Sequence, residues 1–201
     1  PPARRCTACC RIMWGRPGML EAMLARHAAP TLAGLKTANL FAVRYASYYA
    51  LAEQAAALHQ RLCKKGVCVW LLGVSCGRAL VYVCRPHRLQ RDLSAQGSRS
   101  ILRACGYRSA SVQGCLLQLR RRLAQSGQFP HEIGLFLGYP PCDVLGFLHD
   151  AGRHSKLSGY WQVYGDAQAA LALFAKYKKC ADVYARCHAN GTSIWQLTVA
   201  A

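Results

Sequence analysis

The chain has 201 residues, long enough for one well-buried core, and 53% of them are hydrophobic against 17% charged, a composition that excludes an intrinsically disordered protein. Lys and Arg number 26 against 8 Asp and Glu, a formal net charge of +18, which biases the molecule toward anionic partners. The longest apolar run, 67–74, is too short to span a bilayer, so a membrane partner is not expected.

Residues 1–18 (PPARRCTACCRIMWGRPG) show no hydrophobic period and stop at Gly18. They are expected to be a disordered or spurious N-terminal extension, leaving 19–201 as a single domain. They hold charge and cysteine but no apolar core of the signal-peptide kind. The expected compartment is therefore cytoplasmic, with the 12 cysteines reduced. Cys6, Cys9 and Cys10 form a CxxCC cluster without the second pair of a zinc site.

The spacing predicts a helix over 19–29 stopped by Pro30, a loop over 30–37, and a strand over 39–45 with Phe41, Val43 and Tyr45 on one face. Ser47 is placed to cap a helix that runs to about residue 65, with Leu51, Ala55, Leu58 and Leu62 as its stripe. The apolar runs 67–74 and 79–84, joined through Gly77, read as a hairpin whose strands are apolar on both faces. Helices follow at 86–93, about 98–105, 110–126, 131–137 and 141–150. A last strand is expected at 159–164. Asp166 then caps a long helix, 167–189, with Leu173, Tyr177, Cys180, Tyr184 and Cys187 as its stripe. This order predicts an α+β fold: a four-stranded antiparallel or mixed sheet in ferredoxin-like split βαβ order. Helices would lie mainly on one face, with extra helices between strands 3 and 4 and a long C-terminal helix.

The segment 129–166 concentrates the candidate chemistry. His131-Glu132 resembles the start of a zinc-protease helix, but the position four residues after the histidine is Leu135, so that signature fails. Either side chain retains acid–base chemistry. His149, Asp150 and His154 bracket the Gly152 turn at a spacing that matches no known metal-ligand pattern, so no metal is assigned. In SGYWQVY (158–164), alternation puts Tyr160, Gln162 and Tyr164 on one face and Trp161 and Val163 on the other. Such aromatics can stack a flat ring. Lys36 and Asn39, in the loop before the first strand, could hold an anion, although the phosphate loops need more glycine than Gly34 supplies.

Three functional readings follow. The leading one is a ligand cleft between 131–143 and 160–164, lined by Lys36, Asn39, Tyr139, Tyr160, Trp161 and Tyr164, that binds a small ligand, a cofactor of unspecified kind, or an acidic protein such as a flavodoxin-type carrier. The second is an RNA- or DNA-binding module. Between Arg61 and Arg122 the chain has 13 basic residues and one acid, Asp92. Arg85, Arg88, Arg120, Arg121 and Arg122 could follow a phosphate backbone, although no RNP1-type pattern is present. The third is an enzyme with His131 or Glu132 as its acid–base residue.

HEIGLFLGYP (131–140), GYWQVYGD (159–166) and PTLAGLKTANLF (30–41) resemble a bacterial family catalogued as domain of unknown function 3793. The resemblance covers about 19–201. It implies which residues belong together and, since the family has no assigned activity, transfers no catalytic residue. Members similar to this chain often carry cysteine at the position of Leu157 and, less often, Tyr160, and many at those of Cys180 and Ala185, a set that looks like a metal or redox site. Only Cys180 is kept here, with Cys187 nearby on the same helix.

Overall fold

The computed structural model describes residues 18–75, 77–125 and 129–200. Residues 1–17 of the extension expected at 1–18, with the CxxCC cluster, lie outside the described residues. The chain forms α1 (Met19–His27), α2 (Ala29–Leu32), β1 (Ala38–Arg44), α3 (Tyr48–Leu62), β2 (Cys68–Ser75) and β3 (Arg78–Cys84). There follow α4 (Pro86–Ser94), α5 (Gln96–Ala104), α6 (Val112–Ala124), α7 (Ile133–Phe136) and α8 (Pro141–Asp150). The chain ends with β4 (Leu157–Ser158), β5 (Gln162–Val163), α9 (Ala167–Ala189) and α10 (Ile194–Leu197). Part of the expected 30–37 loop is thus the single helical turn α2.

The caps are local. Ser47 accepts from the Ala50 amide, Ser111 from Gly114 and Asp166 from Ala169, each satisfying an amide that the first helical turn leaves open. Pro86 and Pro141 open α4 and α8, where the missing N–H is no loss.

The sheet is three-stranded and antiparallel, in the order β1-β3-β2. Ala38 pairs with Cys84 and Arg44 with Arg78, while β2 bulges between Leu71 and Gly73. Alternation along the strands builds two cores. Val43, Val69, Val81 and Val83 face Leu20, Leu24, Leu58 and Ile194. Tyr82, Cys84, Leu72 and Ala38 face Leu89, Leu119, Leu135 and Phe136. Helices therefore cover both faces, as two-sided apolar strands require, and not mainly one.

The expected four-stranded sheet is also not what forms. Residues 157–158 pair with 162–163 in a separate two-stranded ribbon. The Gly159 amide donates to the Trp161 carbonyl at 3.1 Å, which closes a tight turn where a continuous strand was expected. Two backbone amides of the ribbon's exit then bond a side chain, Asp143, at 2.7–2.8 Å. A period-two pattern carried across Gly159 looks like one strand, but the glycine folds it back on itself. The ribbon stays beside α8, and α9 runs on to pack against α1 and α2.

Candidate functional site

The site is assembled around the α7–α8 connection. Tyr82 on the central strand is wholly buried and donates its hydroxyl to the Phe136 carbonyl at 2.6 Å, which ties the end of α7 to the sheet. Gly138 follows at φ +75°, and a Cβ there would lie 2.7 Å from Thr37 Cβ. Only glycine combines that backbone turn with so close an approach. The turn sets Tyr139 beside Lys36. Thr37 is itself anchored by donating to Asp92 on α4.

Asp143, in the first turn of α8, is 3% exposed. Its Oδ1 accepts from the Tyr164 and Gly165 amides at 2.8 and 2.7 Å, and its Oδ2 from Trp161 Nε1 at 2.7 Å. Three N–H donors satisfy a buried carboxylate well. They also fasten the β4–β5 ribbon and orient the Trp161 ring. Asp143 counts in the sequence among the ionisable candidates of 129–166, but no role follows for it there. The available signal was an acid in the first turn of a largely apolar helix, five residues after Gly138.

Between these parts lies a cleft of about 320 Å³. One wall is the stack of Tyr139 on Trp161, with ring centres 4.7 Å apart and planes 26° apart. Phe174 of α9 supports Trp161 edge-on at 4.6 Å. Leu40, Ile133, Val144 and Phe147 complete the apolar lining, and His131 and Gln162 lie at polar positions along it. His131 is exposed and rests 4.7 Å from the Phe147 ring.

The structure brings some of the sequence candidates to this cleft and leaves others away from it. Tyr139, Trp161 and His131 line it. Tyr160 lies on the α9 side, with its ring 5.4 Å from both Phe174 and Tyr177. Tyr164 packs over Gly146, where a Cβ would meet the tyrosine ring at 2.5 Å. Asn39 is buried and accepts from the Thr31 hydroxyl at 2.7 Å.

Glu132, next to His131 in sequence, faces the other way. It is 2% exposed, lies 2.7 Å from Arg122 Nε and accepts from the Tyr107 hydroxyl at 3.0 Å. This network joins α6 to the turn before α7. Burial, and then the Glu132 charge, push the Tyr107 phenol well above its ordinary pKa.

The basic candidates divide similarly. Arg85 is buried and donates to the Thr31, Leu32 and Val199 carbonyls, each at 2.7 Å. Arg122 is committed to Glu132 and the Cys105 carbonyl. Arg88 is half-buried, while Arg120 and Arg121 are exposed on α6.

Lys36, expected in the lining, is not part of it. It is 4% exposed, and its Nζ stands 4.9 Å from the Tyr139 ring centre and 5.9 Å from that of Tyr177. Burial pulls its amine down to about 7. Burial likewise pushes the Tyr139 and Tyr177 phenols up to about 12, so both keep their protons at neutral pH.

Among the described residues no three metal-ligating side chains converge; His149 pairs instead with Asp150 at 2.7 Å. No helix among them is long and apolar enough to cross a membrane. No curated protein and no solved structure matches the chain. A family model described as "Protein of unknown function (DUF3793)" matches residues 24–198, a span that takes in every residue lining the cleft, and the chain belongs to that family.

Proposed function

We propose that the protein binds a small, flat, largely apolar molecule in the cleft between 129–147 and the β4–β5 ribbon. The observation that carries this reading is the Tyr139–Trp161 stack exposed along one wall of a preformed hollow of about 320 Å³. Small-molecule sites are concave and mostly apolar, with a few polar groups that fix orientation. Here those groups are His131 and Gln162. The charge of Asp143 is turned inward onto three N–H donors, so it does not repel an apolar ligand. Offset stacking of a ligand ring on such a wall contributes about 0.5–1.5 kcal/mol beyond area burial. The excess of positive charge favours a ligand, or a protein that delivers it, carrying negative charge at its outer end.

An acid–base enzyme using His131 and Glu132 together has less support, because their side chains occupy different environments. A nucleic-acid surface has less as well, because Arg85 and Arg122 are committed to internal partners. The test is native mass spectrometry of the protein purified from its own cells, beside Trp161→Ala with the fold checked by circular dichroism. A stoichiometric extra mass in the wild type, lost in the variant, is the expected result. An extra mass retained by the variant would place the ligand elsewhere.

A further inference from the structure

A second hollow, of about 280 Å³, lies between α5, the 105–111 connection and the start of α6, and no residue lines both it and the aromatic cleft. Its floor is apolar, with Leu102, Val112 and Cys115 all buried. Its rim is cationic. Arg99 and Arg103 stand four residues apart on α5, hence on one face of that helix, and Arg108 joins them from the connection. The connection is fixed locally: the Ser111 amide donates to Ser109 Oγ at 3.2 Å, and the Gly114 amide to Ser111 Oγ at 3.1 Å. Gly114 leaves the room that Ser109 needs, since a Cβ there would collide with the serine hydroxyl.

A single exposed arginine is satisfied by water. Three bordering one hollow also repel one another, since like charges four residues apart on a helix are destabilising. Nothing in the chain offsets this. None of the eight acids lines the hollow, and among the described residues no ion pair includes Arg99, Arg103 or Arg108. The rim also acts on the floor: burial pushes the Cys115 thiol up, and the Arg99 charge pulls against it. A guanidinium is a planar fork that matches the oxygens of a carboxylate or a phosphate. A carboxylate offers one charge and one pair of oxygens, enough for one fork. A phosphomonoester carries nearly two charges at neutral pH and three terminal oxygens, which suits three forks. The apolar floor suits an organic remainder, and the volume, at the lower end for small-molecule sites, keeps that remainder small.

We propose that Arg99, Arg103 and Arg108 bind the phosphate of a small phosphomonoester whose organic part rests on the floor of Leu102 and Val112. The bound anion takes the place of the acid that the rim lacks, and its charge-assisted hydrogen bonds relieve the repulsion among the three arginines. The site stands apart from the aromatic cleft and uses none of its residues.

The experiment is isothermal titration calorimetry on the full chain at neutral pH and about 0.15 M ionic strength, with phenyl phosphate and inorganic phosphate as probes. The expected result is one saturable site for phenyl phosphate, weakened at least about tenfold in Arg99→Gln with Arg103→Gln and weakened also in Arg108→Gln alone. Arg120→Gln with Arg121→Gln removes the same two charges from an exposed face of α6 and should change the affinity less than about twofold. Circular dichroism checks the fold of each variant. Inorganic phosphate should compete at the same site and bind more weakly, for want of the floor contact. Trp161→Ala should leave the affinity unchanged. No saturable binding, equal weakening in the two double variants, or inorganic phosphate binding as tightly as the ester would each overturn the proposal. Loss of binding in Trp161→Ala alone would overturn it too, by placing the phenyl phosphate in the aromatic cleft.

Discussion

Replacing Lys36 with Met isolates the consequence of burying an amine without a counter-charge. The folded protein holds this amine at about 7, whereas in the unfolded chain it has its ordinary value of 10.5. Between those values the unfolded chain binds more protons, so stability rises with pH across this window. Below pH 7 the amine is charged in both states and the whole penalty is present; above 10.5 it is neutral in both and the penalty is gone. The difference between 10.5 and about 7, at 1.36 kcal/mol per pH unit, gives a penalty on the order of 5 kcal/mol at pH 6. At pH 9 about 2 kcal/mol of it remains. Met has a similar reach and no charge, so Lys36→Met should be more stable than the wild type by those amounts. Urea denaturation of both proteins at pH 6 and pH 9 measures it. The buried thiols and phenols titrate alike in the two proteins and cancel in the comparison. A variant no more stable than the wild type at pH 6, or an advantage that does not shrink at pH 9, would refute the reasoning.

Asp143→Ala leaves three N–H donors of the ribbon without their acceptor. It should open the 157–165 segment by about 3 kcal/mol, seen as roughly hundredfold faster hydrogen exchange at the Tyr164 and Gly165 amides. Glu132→Ala leaves the Tyr107 hydroxyl buried and unpaired, while Arg122, 38% exposed, can rehydrate. A loss of about 2–3 kcal/mol by chemical denaturation is expected, with cleft binding unchanged. Arg120→Gln with Arg121→Gln, both on the exposed face of α6, should leave stability within about 0.5 kcal/mol. If that face contacts nucleic acid, the salt slope of binding should also fall.

Much of this fold is legible along the chain. Ser47 and Asp166 mark helix starts because their side chains can take up an open amide, and both do so. The hairpin of 67–84 is legible from two apolar runs around Gly77. The ribbon is not, because the alternation of SGYWQVY satisfies a strand template and only the partner of its amides distinguishes the two arrangements. That partner, Asp143, acts through contacts with residues 18–22 positions away in sequence. The stripe expected on α9 is only partly inward: Tyr177 is buried, whereas Leu173 is 37% exposed.

The site divides in the same way. Tyr139 and Trp161 stand out as aromatics beside glycine and proline turns, and they meet. Lys36 sits in the loop PTLAGLKT, where the sequence points to an anion contact and not to burial. Its environment arises when Tyr139, placed by Gly138, and Tyr177, on the distant α9, close over it. Glu132 reads as a partner for His131 by adjacency, yet successive residues in a helical turn point apart. Arg85 and Arg122 read as surface charge, because composition does not disclose which arginines a fold uses to satisfy its own carbonyls and carboxylates.

The indole N–H of Trp161 reports the cleft most directly, since it bonds to Asp143 at 2.7 Å while its ring forms the wall. Its proton resonance can be followed by NMR while single-ring and fused-ring aromatic compounds are added. The account predicts that at least one compound shifts the Trp161 signal saturably and leaves those of Trp70 and Trp195 in place. Signals that never move, or that all move together without saturating, would contradict a ligand site at the Tyr139–Trp161 wall.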